Sequence, residues 1–469
     1  MTPPDSPAPL AYRVAERLHA NAPWEVFAER LRRYEIHFNG RVVEVLRGPL
    51  VVEGYGVRLF RSNGESTGTG FQASTDSTAA GVAQAVADAE MIAAQSTFPA
   101  KSVELPSSAT AKPDSSQILD RALWAAPIPR LQEYLQQLLA PFDSLKDVVP
   151  SFGSTRATLT ETSLANSAGL RTEYAHTTIT LELALKAFGG PEGAPPGEYW
   201  VNDQVRRLEP SHAGDHVPDW ARFAQDARRA KAPPSGELPV VLPPDVLAGI
   251  LPSVMGFRFS GTSRLRQIAP EPGSRVAAEG VTDYDDGTVP WAPNSAPYDD
   301  EGTPMGRRAL VTAGAASELL YDLLHAGAFS SRATGNGLRG LTFGTRDWMR
   351  FAHDAALGPT TLDVSVGSGG SDAELAEAAG DGIWVQQLGW ASPDPLSGAF
   401  GGEVRIGYRI RGGKIAEPVR GGTVGGIVLA PPGTPSMLTS IAALGSKAEL
   451  CDSIRSPAML VKPLTVAGA

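Results

Sequence analysis

Apolar and polar positions alternate over Tyr34–Phe38, Arg41–Leu46 and Gly56–Arg61, the two-residue period of half-buried strands. Leu10–Leu18 and Trp24–Arg32 ahead of them read as helices, and "TAAGVAQAVADAEMIAA" from Thr78 to Ala94 is an alanine-rich helical run. Beyond Ile118, Leu131–Leu139 places apolar residues three and four apart, as on one face of a helix. Thr155–Glu161 and Thr177–Lys186 predict strands on either side of the turn "NSAGL". A loop over Gly189–Glu198 and a charged helix over Trp220–Lys231 follow. In "VVLPPDVLAGILPSVMGFRFSG", Val240 to Leu242 form a strand that Pro243 and Pro244 stop. Asp245 is placed to accept from free N–H groups at the start of one short apolar helix. Further helices are expected near Ala316–Ala326 and over Ser371–Ala379, the latter with a capping box of Ser371 and Glu374.

The polar, Pro- and Ser-rich stretch Glu104–Gln117 reads as a linker. The expected organisation is therefore an N-terminal α/β domain over 1–117, a central β-ribbon and helix domain over 118–232, and a C-terminal domain over 233–469. A length of 469 residues fits several cores rather than one. Hydrophobic content of 42% with 20% charged residues describes a globular chain of class α+β. The net charge of −10 argues against a nucleic-acid partner, because phosphate neutralisation needs clustered Lys and Arg. One cysteine excludes an internal disulfide and any CxxC site, which fits a reducing compartment. The first twenty residues lack the apolar run of a signal peptide, and no stretch approaches the ~18 apolar residues of a membrane span. The expectation is a soluble, cytoplasmic protein without a membrane partner.

Candidate chemistry is sparse. None of the seven histidines is followed by Glu, so an HExxH-type zinc helix is absent. His212 and His216 with Asp215 form "HAGDH", but Ser, Pro and Gly around them favour a polar loop over a metal site. "GESTG" at Gly64–Gly68 satisfies the nucleophile-elbow pattern. The extended residues after it point to a hairpin instead, which leaves Ser66 without the strand–turn–helix setting it needs. Cys451 has no neighbouring cation to hold a thiolate. "GSGGS" at Gly367–Ser371 opens a capped helix that could seat an anion, yet lacks a phosphate-loop lysine. Asp283, Asp285 and Asp286 precede Gly287, but Asn294 stands where a calcium loop needs its bidentate Glu. The three adjacent acids of "YDDEGTP" read as a solvated turn.

Several pieces, in order, resemble the TldD/PmbA family. They are "YGVRLFRSNGESTGTGFQAST", then "LANSAGL", then a long segment, "YDDEGTPMGRRALVTAGAASELLYDLLHAGAFSSRATGNGLRG". That segment holds an Asp-x-Glu-Gly turn (Asp299, Glu301, Gly302) and a Thr-Gly-Asn turn (Thr334, Gly335, Asn336). "GYRIRGGKIAEPVRGGTVGG", "MLTSIAALGS" and "SPAMLVKPLTVAG" complete the series. The resemblance implies an N-terminal α/β unit and a strand-rich C-terminal domain of curved sheet. It also makes Asp299, Glu301, Thr334 and Asn336 the candidates for substrate binding. TldD-type members carry HExxxH on the helix that follows the strand. Aligning its glycine with Gly256 puts Pro252, Ser253 and Phe257 at the His, Glu and His positions. Their Cys-Gly-Lys ligand pattern is not matched by Cys451, which Asp452 and Ser453 follow.

The resemblance thus implies a PmbA/TldE-like branch without the zinc motif. Such a chain would be a non-catalytic, metal-free subunit of a TldD/TldE-type metallopeptidase acting on unfolded peptides or a peptide-like metabolite. It would bind no cofactor of its own, with zinc in a TldD-type paralogue as partner, or pair with a second copy of itself. The apolar segments "TVGGIVLAPP" and "SPAMLVKPLTVAG" are candidates for closing or lining that interface, with ordinary internal strands as the alternative reading of the same residues. Two alternatives stay open, an independent hydrolase with a non-zinc nucleophile (Cys451 or a Ser/His pair) and a peptide-binding scaffold.

Overall fold

The structure, a computed structural model, describes residues 8–107, 116–189, 195–342, 345–346, 348–365, 369–431 and 433–468. Most of the linker expected at 104–117 and the loop residues 190–194 lie outside them.

Six antiparallel strands make one large sheet. They are β1 (Trp24–Asn39), β2 (Val42–Ser62), β3 (Thr67–Ser74), β4 (Val148–Asn166), β5 (Arg171–Ala187) and β6 (Gly197–Val205), in the order β3-β2-β1-β4-β5-β6. The boundary expected at 117/118 falls between strands of this single sheet. Trp24–Arg32 is strand, not helix. Its Trp, Phe and Leu spacing mimics a helical face, but pairing with β2 on one side and β4 on the other overrides that local pattern. The start of β6 likewise replaces the end of the loop expected over Gly189–Glu198.

Helices cover one face of the sheet. α1 (Leu10–Ala15) and α2 (Ala79–Gln95, capped by Thr78) pack Val14, Val82, Val86 and Ala89 on Tyr55, Val57 and Leu59. α3 (Arg121–Ala125), α4 (Pro127–Leu139) and α5 (Val217–Arg229) cover the far end, where Leu131, Leu135 and Leu138 meet Ile36, Leu159 and Leu181.

The C-terminal half begins with β7 (Gly236–Leu242) and the short helices α6 (Pro244–Ala248), α7 (Leu251–Arg258) and α8 (Gly261–Leu265). β7 pairs with Gly382–Gly389 and with Met459–Ala467, which pairs with Thr423–Ile427. That strand pairs with Ala399–Arg411, which returns to Gly382–Gly389. The ring closes on itself, which removes exposed edges from these strands. Val424, Val461, Leu464 and Val466 are buried in its core, so of the two readings of these segments the internal strands are the one observed. A second sheet places Asp283–Asp286 between Arg307–Thr312 and Leu362–Val364. The helix expected near Ala316–Ala326 is confined to α9 (Leu323–Ala328), because Ala315–Ala316 pairs with Arg307–Thr312 as strand. α10 (Asp372–Ala379) carries the expected capping box. Among the described residues no helix is long and apolar enough to cross a membrane.

Candidate functional site

The strand-to-helix platform is built as a packing device. Val240, Val241 and Leu242 are fully buried between two neighbouring strands. Pro243 is the N-cap residue of α6, and no side chain caps the helix. Asp245 sits in the first turn rather than at the cap. One expected helix is two, broken at Gly249–Ile250. On α7, Leu251, Pro252, Val254, Met255 and Gly256 are buried. Gly256 permits a close approach, since a Cβ there would lie 2.3 Å from Pro359 Cγ. Of the three positions aligned with the zinc motif, Pro252 and Phe257 offer no donor atom. Ser253 offers one neutral hydroxyl, buried without a hydrogen-bond partner. These residues do not fit a zinc ion. Among the described residues no three His, Cys, Asp or Glu side chains are grouped to hold a metal.

The family turns lie elsewhere, in a buried seam between the large sheet and the C-terminal half. Asp299, Asp300 and Glu301 are all at most 1% exposed, which overturns the solvated-turn reading of "YDDEGTP". Asp299 accepts from the N–H groups of Glu301 (3.1 Å), Thr303 (2.8 Å) and Gly337 (2.9 Å). Asp300 accepts from Arg339 N–H at 2.7 Å and from Arg350 Nη1 at 3.0 Å. Glu301 pairs with Arg58 of β2 through one oxygen and accepts from Leu323 N–H at 2.9 Å through the other. Two acids of β1 complete the seam. Glu25 meets Arg339 at 2.9 Å and Arg58 at 3.4 Å, while Glu29 accepts from Arg350 Nε at 2.7 Å. Thr334 donates to Asn336 Oδ1 (2.6 Å), and Asn336 donates to Asp285 Oδ2 (2.7 Å) and to the Gly358 carbonyl (3.1 Å). The fold therefore gathers Asp299, Glu301 and Asn336 in the interior, with Thr334 half-buried beside them.

Burial dominates the electrostatics here. It raises the carboxyls of Glu25, Glu29 and Glu301 although arginines face each of them. It pushes Asp299 up to about 8 against three backbone donors, and Asp285 up to about 6. Arg58, Arg339 and Arg350 were invisible as partners in the sequence. The alternation around "VRLFR" puts Arg58 on a solvent face, whereas residues 54–60 are buried on one face by α1 and α2 and on the other by the C-terminal half.

The remaining candidates are dispersed. His212 is exposed and pairs with Asp215 at 2.9 Å, while His216 stacks on Trp220. Ser66 lies in the turn of the β2–β3 hairpin, where Ser62 pairs with Thr67. Burial first, then the carboxylates of Asp245 and Asp203, drive the Cys451 thiol up, the opposite of what a thiolate nucleophile needs. Asp283 and Asp285 belong to a buried strand, not a calcium loop, and Asn294 donates to the Thr360 carbonyl. Gly367 and Ser368 of "GSGGS" lie outside the described residues, and Ser371 caps α10.

Residues 235–468 match the family described as PmbA/TldA metallopeptidase C-terminal domain. A metalloprotease TldD homolog of Haemophilus influenzae is 26% identical over 264 residues, covering 52% of this chain and 53% of that protein. A metalloprotease of Archaeoglobus fulgidus is 29% identical over 203 residues, 43% of this chain and 45% of its own length. The chain thus spans about half the length of the curated relatives it matches. The crystal structure of TldE from Thermococcus kodakarensis shares the fold, with a TM-score of 0.76 at 18% identity, over 98% of this chain and 99% of that one. With its turns, its curved sheets and its strand-to-helix platform accounted for, the chain belongs to the TldD/PmbA family.

Proposed function

We propose that this chain is the metal-free subunit of a TldD/TldE-type metallopeptidase and that a zinc-bearing paralogue supplies the hydrolytic centre. The observation that supports this reading is α7. The helix keeps its packing against Pro359, yet Pro252, Ser253 and Phe257 stand where zinc ligands and a base would be required. The substrate in this reading is an unfolded peptide or a peptide-like metabolite, enclosed between two chains.

A surface suited to a partner lies on the large sheet. β3 pairs with β2 from Tyr55 onward, so among the described residues the preceding part of β2 pairs with β1 on one side and with no strand on the other. That part exposes Val42, Val43, Leu46, Leu50 and Val51. An open groove of about 320 Å³ runs from Val43 and Leu46 to Leu135 and Leu139 of α4. Phe152 and Trp200, also exposed, form an edge-to-face pair on the same sheet. Light scattering on the chain alone, and mixed with a TldD-type paralogue, tests the role. The expected result is a stable two-chain particle in the mixture, weakened by Val43→Asp with Leu46→Asp. A chain that stays monomeric in both samples and hydrolyses peptides unaided would defeat it.

A further inference from the structure

Just beyond α7, a hydroxyl, an imidazole and a carboxylate stand in line. His325 Nδ1 is 2.7 Å from Asp322 Oδ1, and His325 Nε2 is 3.1 Å from Thr262 Oγ1. Burial opposes ionisation of Asp322, but the hydrogen bonds and charge of His325, with Arg58 beyond, hold its carboxyl below the ordinary value. An ionised carboxylate only accepts hydrogen bonds, so the proton between the two groups belongs to Nδ1. When the imidazole is neutral, that leaves the lone pair on Nε2, into which the Thr262 hydroxyl can donate. This is the polarity of a nucleophile–base–acid relay.

The arrangement exceeds what a helix cap requires. Asp322 caps α9 by accepting from His325 N–H at 2.8 Å, and that bond needs no imidazole. The ring is fixed separately, by the edge of Phe98 at 4.9 Å between centroids. Gly261 lets α8 come close, since a Cβ there would lie 2.6 Å from His325 Cβ. His325 and Asp322 are buried, whereas Thr262 is only half-buried, which makes it the most exposed residue of the three.

We infer that Thr262 is a nucleophile for acyl transfer, with His325 as its base and Asp322 as the residue that orients the ring, acting on an ester or amide of a carboxylic acid. Thr262 Oγ1 attacks the acyl carbon and passes its proton to His325 Nε2. The carbon–heteroatom bond breaks, and the leaving alcohol or amine takes that proton, leaving an ester on Thr262. Water then attacks this ester and gives a proton to His325. Oγ1 departs with that proton, and the free acid is released. No step needs a metal or a redox partner, and the subunit role proposed above makes no demand on Thr262.

The test uses the full chain, purified alone, with p-nitrophenyl acetate. Expected are release of nitrophenolate and, after acid quench, a single acetyl group that peptide mass mapping locates on Thr262. Thr262→Val, matched in shape, should abolish the label, and Thr262→Ser should retain it. His325→Gln should slow acylation by about 100-fold or more, the usual contribution of a positioned base. Circular dichroism establishes that each variant is folded. Acetylation confined to lysines or the N-terminus, or equal nitrophenolate release by wild type and Thr262→Val, would overturn the inference.

Discussion

The seam around Arg58 and the helix α7 are opposites. The seam is dense in charge and buried, and it joins β1 and β2 to turns more than 240 residues away in sequence. α7 is where the resemblance places the chemistry of TldD-type chains, and it holds no ionisable group before Arg258. Charge here serves architecture, and the helix that looks catalytic serves packing. A buried arginine between two carboxylates locks one chain half against the other, whereas α7 holds its place by apolar packing alone.

Breaking the seam should produce the largest effect. Arg58→Ala leaves Glu25 and Glu301 buried without their shared cation, and losing one partner of a buried pair costs about 3–5 kcal/mol. Urea unfolding measures it. A loss under about 1 kcal/mol would mean that the seam is not the lock between the halves.

Disturbing α7 should cost less. Gly256→Ala drives a methyl group into Pro359, and overpacking of this kind costs about 1–3 kcal/mol. A neutral or stabilising result in the same urea series would remove the packing explanation for the helix.

A third effect depends on pH. Burial, then Asp203 and Asp245, push Asp452 up to about 7. An acid that binds its proton more tightly when folded costs stability as pH rises from about 4 towards about 7. Asp452→Asn should therefore stabilise the chain by roughly 1 kcal/mol at pH 8, discounted because water reaches the group, and by less at pH 5. Its left-handed backbone, φ 46°, suits Asn. Equal melting shifts at both pH values would contradict this. Smallest of all is Cys451→Ala, expected to leave the peptidase rate of the assembled pair unchanged. A tenfold loss, about 1.4 kcal/mol of transition-state stabilisation, would give the thiol a role.

Local signals made part of the fold legible. The alanine-rich run from Thr78, the Ser371–Glu374 box and the "NSAGL" turn each act within a few residues. Trp24–Arg32 misled because a helical spacing of large residues also fits a strand buried on both faces. The turns bearing Asp299, Glu301, Thr334 and Asn336 could be found by resemblance, but not their burial. That depends on Arg58, Arg339 and Arg350 arriving from distant segments, and no local period announces such partners. The Thr262–His325 contact was hidden for the same reason, its members being sixty-three positions apart.

In the proposed assembly, catalysis by zinc belongs to the partner and not to this chain. Elemental analysis after dialysis, on the chain alone and on its purified complex with a TldD-type paralogue, tests it most directly. Expected are no stoichiometric zinc in the chain alone and zinc in the complex, lost when the paralogue's own motif is removed. About one zinc per chain in the isolated protein would contradict it and would turn attention to His212 and His216.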